Sequence, residues 1–290
     1  LTFFPSLLTG SETVLSVASA QVKSALLLAG VFSNGPTVVT EPHTSRDHTE
    51  RMLRSLGVAV EERFYEDGRH EARIPGRVKS LPPLSVKLAS DPSSAAFLVV
   101  AGLIAPAAEV TIPQLCLNPG RTGLFDVLRL MGADIAVKES SEQHGEPTGT
   151  LRVKSGKLQA VNVEGPPVTR MIDEFPIFAV AATQAHGVTI VRDAAELRLK
   201  ESDRIDALAE ELNKMGAGIE TTLDGFIVRG PAQLKGAEVD GRGDHRLAMS
   251  LAVAGLVAQG ETVIRGWEAM RDSFPDFPQV LRQLGARVEW

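Results

Sequence analysis

Three arginines stand where an arginine is out of place. Arg46 lies eleven residues before Gly57, Arg121 eleven before Gly132 and Arg204 twelve before Gly216. Each glycine closes an apolar helix tail, such as Met52-Leu53-Arg54-Ser55-Leu56-Gly57. Each arginine therefore falls near the start of its helix, the end of the macrodipole that repels a cation. One such residue reads as a solvated side chain. Three at matching positions read as cations gathered for a phosphate or a carboxylate. Polar clusters also open four other helices: Ser19-Ala20-Gln21, Asp91-Pro92-Ser93-Ser94, Asp173-Glu174-Phe175-Pro176 and Asp244-His245-Arg246. For Asp91-Pro92-Ser93, plain N-capping competes evenly with a functional role. Capping fits Gln21 and His245-Arg246 less well. The densest charge cluster is Glu196-Leu197-Arg198-Leu199-Lys200-Glu201-Ser202-Asp203-Arg204. Such runs are ordinarily solvated loops, here capped by Ser202 or Asp203. Yet Arg198, Lys200 and Arg204 frame Glu201, a mix suited to proton transfer beside bound anions. Asp173-Glu174 is the other paired-carboxylate candidate, because a carboxylate held near cations stays ionised and can act as a base.

The elements that must carry these residues repeat. The helix tail closed by glycine recurs at Gly57, Gly132, Gly216 and Gly285, at spacings of 75, 84 and 69 residues, and alternating apolar residues follow each. A glycine there supplies the left-handed residue after a helix, and the alternation predicts a strand. Before each tail comes a polar cluster, a run of small apolar residues, a turn and a β-branched strand. The four strands are Thr37-Val38-Val39, Val110-Thr111-Ile112, Val188-Thr189-Ile190-Val191 and Thr262-Val263-Ile264. A helix such as Ala95-Ala96-Phe97-Leu98-Val99-Val100-Ala101 is apolar on nearly every side and is expected to be buried all round. With a leading strand the unit reads βαβαββ, and the chain holds about four such units. Lys79 to Lys87, with Pro82-Pro83, reads as a crossing. The expectation is an α/β fold of two lobes, 1–86 with one unit and 87–290 with three.

Composition limits the partners. Apolar residues make up 43% of the 290 and charged residues 23%, with a net charge of −6. Such a chain builds a real core and is a poor polyanion binder, so nucleic acid is not expected. A small anion remains open where cations are focused locally. The single cysteine, Cys116, permits no intrachain disulfide and suits a reducing compartment. The longest apolar run, Ala95 to Ala108, is fourteen residues and is broken by Gly102 and Pro106. A membrane span needs about 20. Leu1-Thr2-Phe3-Phe4-Pro5 lacks the basic start of a secretion signal. A cytoplasmic setting, away from membranes, is the expectation.

Six ordered motifs carry a resemblance. They are Ser19-Ala20-Gln21-Val22-Lys23-Ser24, Ser45-Arg46-Asp47-His48-Thr49-Glu50, Ile172-Asp173-Glu174-Phe175-Pro176, Leu197 to Arg204, Asp244-His245-Arg246-Leu247-Ala248-Met249 and Ser273-Phe274-Pro275. Over nearly its whole length the chain resembles the enolpyruvyl transferases, in particular those acting on shikimate 3-phosphate. The resemblance implies two lobes of βαβαββ units around buried parallel helices, an inside-out α/β barrel. It implies transfer of the enolpyruvyl group of phosphoenolpyruvate to the 5-hydroxyl of shikimate 3-phosphate, by addition and then loss of phosphate. It implies no metal or organic cofactor. Ser19, Ala20 and Gln21 would contact shikimate 3-phosphate, Gln21 would also reach phosphoenolpyruvate, and Arg46 would hold the shikimate phosphate. Asp173 would accept the hydroxyl proton, and Lys200 or Glu201 would handle the methylene proton. Arg204 and Arg246 would clamp phosphoenolpyruvate beside His245.

The Ser-Ala-Gln and Arg-Asp-His-Thr-Glu forms are similar to the bacterial class associated with glyphosate tolerance. Two departures stand out. Asp272 occupies a place where some members carry Lys. About the first third of the family pattern has no counterpart here. That leads to the expectation of a poor catalyst with exposed apolar surface, and it leaves a complementary N-terminal fragment open as a partner. A non-catalytic fragment is the rival reading. The sister enzymes acting on UDP-N-acetylglucosamine carry a reactive loop cysteine, whereas Cys116 lies in the apolar, strand-like Gln114-Leu115-Cys116-Leu117 and is expected to be a buried thiol.

Overall fold

The computed structural model describes Thr2 and residues 6–289. The chain forms two compact units. The first runs to Leu88 and takes in Ser141–Thr148; the second comprises Ala89–Ser140 and the chain from Gly149 onward. The sequence places the division at 86/87 and carries no signal that the tip 141–148 groups with the first unit.

The first unit is one βαβαββ repeat: β1 (Glu12–Val14), α1 (Ala20–Val31), β2 (Thr37–Glu41), α2 (His48–Ser55), β3 (Glu61–Phe64) and β4 (His70–Ile74). Its sheet order is β1-β2-β4-β3, with β1 parallel to β2 across the α1 crossover and the other pairs antiparallel. Alternation along β2 turns Thr37, Val39 and Glu41 inward. Leu27, Val31, Val39, Leu53, Val58, Ala72 and Ile74 form a small apolar core. Glu41 therefore ends its strand as a fully buried charge and needs compensation. Lys23 Nζ, itself fully buried on α1, lies 2.8 Å from both Glu41 and Glu50. His70 bonds Glu41 through Nδ1 at 2.8 Å and Glu62 through Nε2 at 2.9 Å. Arg54 closes the network on Glu62. The charges thus tie α1, β2, α2, β3 and β4 together where the apolar core is thin. The expected all-round burial of helices does not hold for α1, since Val22 is 46% exposed and Leu28 43%.

The second unit repeats the pattern around three helices. It contains α3 (Pro92–Ile104), β5 (Glu109–Cys116), α4 (Gly123–Leu130), and β6 (Asp134–Gln143) and β7 (Glu146–Lys154) apart from their 141–148 tip. Next come β8 (Leu158–Gln159), β9 (Asn162–Val163), α5 (Pro166–Arg170), α6 (Phe175–Thr183), β10 (Ala185–Val191) and α7 (Arg204–Lys214). It ends with β11 (Ile219–Thr221), β12 (Phe226–Gly230), β13 (Glu238–Asp240), α8 (His245–Gly255), β14 (Val263–Arg265) and α9 (Phe277–Gln283). Helices α3, α6 and α8 touch one another pairwise, and each is also backed by a strand: β5, β12 and β14 respectively. All nine residues of α6 are buried, as the unbroken apolar sequence demands. The strands form separate sheets, β5-β7-β6, β11-β12-β10-β8 with β9 on β10, and β13-β14, rather than a closed barrel.

The repeated glycine serves as read. Gly57, Gly132, Gly216 and Gly285 have φ of 83°, 87°, 86° and 101°. In each copy the next residue donates its N–H back to the helix: Val58 to Leu53, Ala133 to Leu128, Ala217 to Leu212 and Ala286 to Leu281, at 2.9–3.1 Å. That is the Schellman closure. The strand expected after Gly285 is not formed; residues 286–289 belong to no sheet, and no described strand offers them a ladder.

The buried charges make the first unit pH-sensitive. Burial alone would lower the His70 pKa, but its bonds to Glu41 and Glu62 outweigh that and raise it to about 9. Burial would raise Glu41, yet His70, Lys23 and Ser45 bring it to about 2. His70 and Arg54 bring Glu62 to about 2 against its burial. A raised histidine contributes its stability in full below 6.5 and loses it as pH rises through 9. A depressed carboxylate contributes in full above 4.5 and loses it as pH falls through 2. Amide exchange in β2 and β4 is expected to be slowest between pH 4.5 and 6.5, after correction for intrinsic rates. Undiminished protection at pH 9 and above would contradict this.

Candidate functional site

The helix starts of the second unit bring their polar clusters together. Asp91 caps α3 by accepting the N–H groups of Ser93 and Ser94 at 3.3 and 3.2 Å. Asp244 caps α8 by accepting those of Arg246 and Leu247 at 2.9 and 3.4 Å. Capping is thus real at both, and it does not exhaust either cluster. The Ser93 hydroxyl leaves α3 and donates to Glu174 at 2.5 Å, at the start of α6. Arg246, on α8, reaches back to Glu174 at 3.8 Å and to Asp173 at 4.0 Å. Three helix N-termini therefore share one charged cluster.

Arg204, the first residue of α7, is 2% exposed. Its Nε and Nη2 bond the two oxygens of fully buried Asp244 at 2.7 and 3.3 Å, and Nη2 also bonds Glu201 at 2.5 Å. Nη1 is buried and has no hydrogen-bond partner among the described residues. Its nearby carboxylate is Asp173, at 3.7 Å. Lys200 Nζ stands 3.9 Å from the same Asp173 oxygen and 2.5 Å from Glu196. Asp173 is thus ringed by Lys200, Arg204 and Arg246 at 3.7–4.0 Å. Burial of Asp244 would raise its pKa, but the Arg204 bond and charge prevail and lower it. His245 is lowered by burial and then by the adjacent Arg246 charge, both of which favour the neutral imidazole.

The sequence-read residues fall into two sets. Asp173, Lys200, Glu201, Arg204, His245 and Arg246 lie in the second unit, and all but His245 are linked by the contacts above. Glu201 is half-exposed and faces Arg204. Arg198 does not frame Glu201 as expected; it bonds Asp203 and the carbonyls of Thr222 and Leu223, pinning the loop before α7. Ser19, Ala20, Gln21 and Arg46 lie in the first unit. Ser19 caps α1 by accepting the Val22 N–H at 3.3 Å, Ala20 is the first helical residue, and Gln21 is exposed. Glu41 accepts the Ser45 N–H at 3.0 Å and the Ser45 hydroxyl at 2.6 Å, which fixes the loop delivering Arg46. Lys23 grips the same carboxylate from the first turn of α1. Gln21 and Arg46 are thereby carried by segments with a common anchor. Cys116 is buried in β5 and offers no loop nucleophile.

Sequence reasoning named neither the Ser93–Glu174 bond nor the Lys23–Glu41–His70 network as site machinery. The available signal was Lys23 itself, a lone charge in an apolar helix.

The EPSP synthase (3-phosphoshikimate 1-carboxyvinyltransferase) family model matches residues 5–281. A 3-phosphoshikimate 1-carboxyvinyltransferase of Roseiflexus sp. (strain RS-1) is 47% identical over 278 residues, which cover 96% of this chain and 64% of that protein. A solved EPSP synthase from Acinetobacter baumannii superposes with a TM-score of 0.90 at 39% identity, over 98% of this chain and 64% of that one. The enolpyruvyl transferase NikO from Streptomyces tendae, at 24% identity and TM-score 0.71, shares the fold. The chain spans 60–64% of the length of the curated relatives it matches.

Removing one partner of a buried ion pair strands the other. Asp244→Asn is expected to destabilise the second unit by about 3–5 kcal/mol. Glu201→Gln, at a half-exposed carboxylate, is expected to cost less than about 1 kcal/mol. Urea unfolding followed by Trp267 fluorescence measures both, and equal effects would show that Asp244 is not the essential counter-charge.

Proposed function

The chain belongs to the EPSP synthase family, and from that premise we propose that it takes part in enolpyruvyl transfer from phosphoenolpyruvate to the 5-hydroxyl of shikimate 3-phosphate, with release of phosphate, in aromatic amino acid biosynthesis. The observation that carries this reading is the buried Nη1 of Arg204, which stands 3.7 Å from Asp173 and has no hydrogen-bond partner among the described residues. An orphaned buried guanidinium N–H is costly unless an acceptor from outside the protein meets it. An anion bearing a carboxylate and a phosphate would supply that acceptor to Arg204 and find Arg246 and Lys200 nearby. In the first unit, Ser19, Ala20, Gln21 and Arg46 would take up shikimate 3-phosphate.

In the reaction, Asp173 would accept the 5-hydroxyl proton as that oxygen attacks C2 of phosphoenolpyruvate. Lys200 or Glu201 would deliver a proton to the methylene carbon and remove it when phosphate leaves. Neutral His245 would stand beside the bound anion as a hydrogen-bonding group rather than a further charge. The cations around Asp173 would offset charge on the tetrahedral intermediate, so positioning and electrostatics do the work. The same reading places the protein in the cytoplasm. No helix among the described residues is long and apolar enough to cross a membrane.

Binding is the direct test. Calorimetric titration of phosphoenolpyruvate into the chain with shikimate 3-phosphate present is expected to give saturable heat. Arg204→Lys, which keeps the charge but loses the planar fork, is expected to weaken it by about tenfold or more. Absence of heat from the unaltered chain at millimolar ligand would overturn the reading.

A further inference from the structure

Glu174 has no part in the proposed chemistry, yet it is buried within the cluster. It sits where α6 begins and makes no side-chain capping bond to that helix. Instead its side chain, 6% exposed, turns toward α3 and accepts the Ser93 hydroxyl at 2.5 Å. Ser93 in turn accepts from Arg121 Nη2 at 2.8 Å, and the same nitrogen also bonds Asp91 at 2.5 Å. The same Glu174 oxygen, Oε1, stands 3.8 Å from Arg246 Nη1. A directed chain therefore runs from Arg121 through Ser93 and Glu174 to Arg246, joining the loop before α4, then α3, α6 and α8.

We propose that Glu174, aimed by Ser93 and Arg121, is a positioning residue that sets the orientation of the Arg246 guanidinium. The inference rests on the reading of Arg246 as an anion ligand only for its functional consequence. Arg246 is flanked by two carboxylates, Glu174 at 3.8 Å and Asp173 at 4.0 Å, neither at hydrogen-bond length. A guanidinium held by Asp173 alone would swing onto it and form the short bidentate pair that arginine favours. Glu174 supplies the opposing pull. Burial pushes the Glu174 carboxyl above its usual range, and the Ser93 bond and Arg246 work against that. In either protonation state the oxygen facing Ser93 is fixed, and the carboxyl is fixed with it.

The test uses Glu174→Ala, Glu174→Gln and Ser93→Ala in the 290-residue chain, with two readouts. The first needs no ligand: solvent exchange of the Arg246 Nε–H proton by NMR, its signal assigned by loss in Arg246→Lys. The second is calorimetric titration of phosphoenolpyruvate in the presence of shikimate 3-phosphate. Glu174→Ala and Ser93→Ala are expected to speed the exchange by about tenfold and to weaken phosphoenolpyruvate by about tenfold, as loss of one hydrogen bond to a charged network would. Glu174→Gln, whose amide oxygen still accepts from Ser93, is expected to stay within about threefold of the unaltered chain on both. If Glu174→Ala does not fold, Ser93→Ala decides. Unchanged Arg246 exchange in the folded variant overturns the proposal, whatever the calorimetry gives. Should the unaltered chain bind no phosphoenolpyruvate, the functional reading falls, while the exchange measurement still decides whether Glu174 orients Arg246.

Discussion

A guanidinium taken out of water must be met by charge and by acceptors, or the segment that buries it will not stay folded. Arg204 meets that condition through Asp244. Because Asp244 also accepts the first N–H groups of α8, the same carboxylate fixes where that helix begins. The position of His245 and Arg246 is thus a consequence of how Arg204 is neutralised. Glu201 adds a second counter-charge at the exposed edge, where it is weaker and more easily displaced.

The first unit answers the same constraint with a different cation, and the contrast is informative. Lys23 is fully buried and lies 2.8 Å from each of two carboxylates, so its compact ammonium is committed to structure. Arg204 carries five donors in a rigid plane. Asp244 and Glu201 occupy Nε and Nη2 and leave Nη1. A lysine at that position would be consumed as Lys23 is. An arginine can be structural along one edge and a ligand along the other.

Much of this was legible before any coordinates. The four closing glycines predicted left-handed residues, and the helices and strands around them followed from apolar periodicity. The clusters at Asp173, Arg204 and Asp244-His245-Arg246 were legible as clusters because cations at helix starts contradict the macrodipole. What the sequence could not give was pairing. Asp91 and Asp244 are genuine caps, and the residues beside them, Ser93 and Arg246, still join the charged cluster. Arg198 looked equivalent to Lys200 in the charge run, but the turn before α7 points it at Thr222 and Leu223. Lys23, Glu41 and His70 come from segments 18 and 29 residues apart, and only the inward register of β2 makes one site of them. The strand expected after Gly285 failed for a related reason: alternation permits a strand, but a ladder partner makes one.

The spacing around Asp173 sets it among three cations without a hydrogen bond to any of them. Its three cations stand 3.7–4.0 Å away, beyond hydrogen-bond length. Coulomb attraction weakens only in proportion to distance, so at ~4 Å each cation still attracts by about 4 kcal/mol in a surface-like dielectric. Hydrogen bonding, by contrast, is largely lost beyond 3.5 Å. Had Asp173 closed to 2.8 Å on Arg204, it would have taken Nη1 for itself. The gap therefore leaves the cations near enough to act on Asp173 through charge, while Asp244 holds Arg204 by Nε and Nη2.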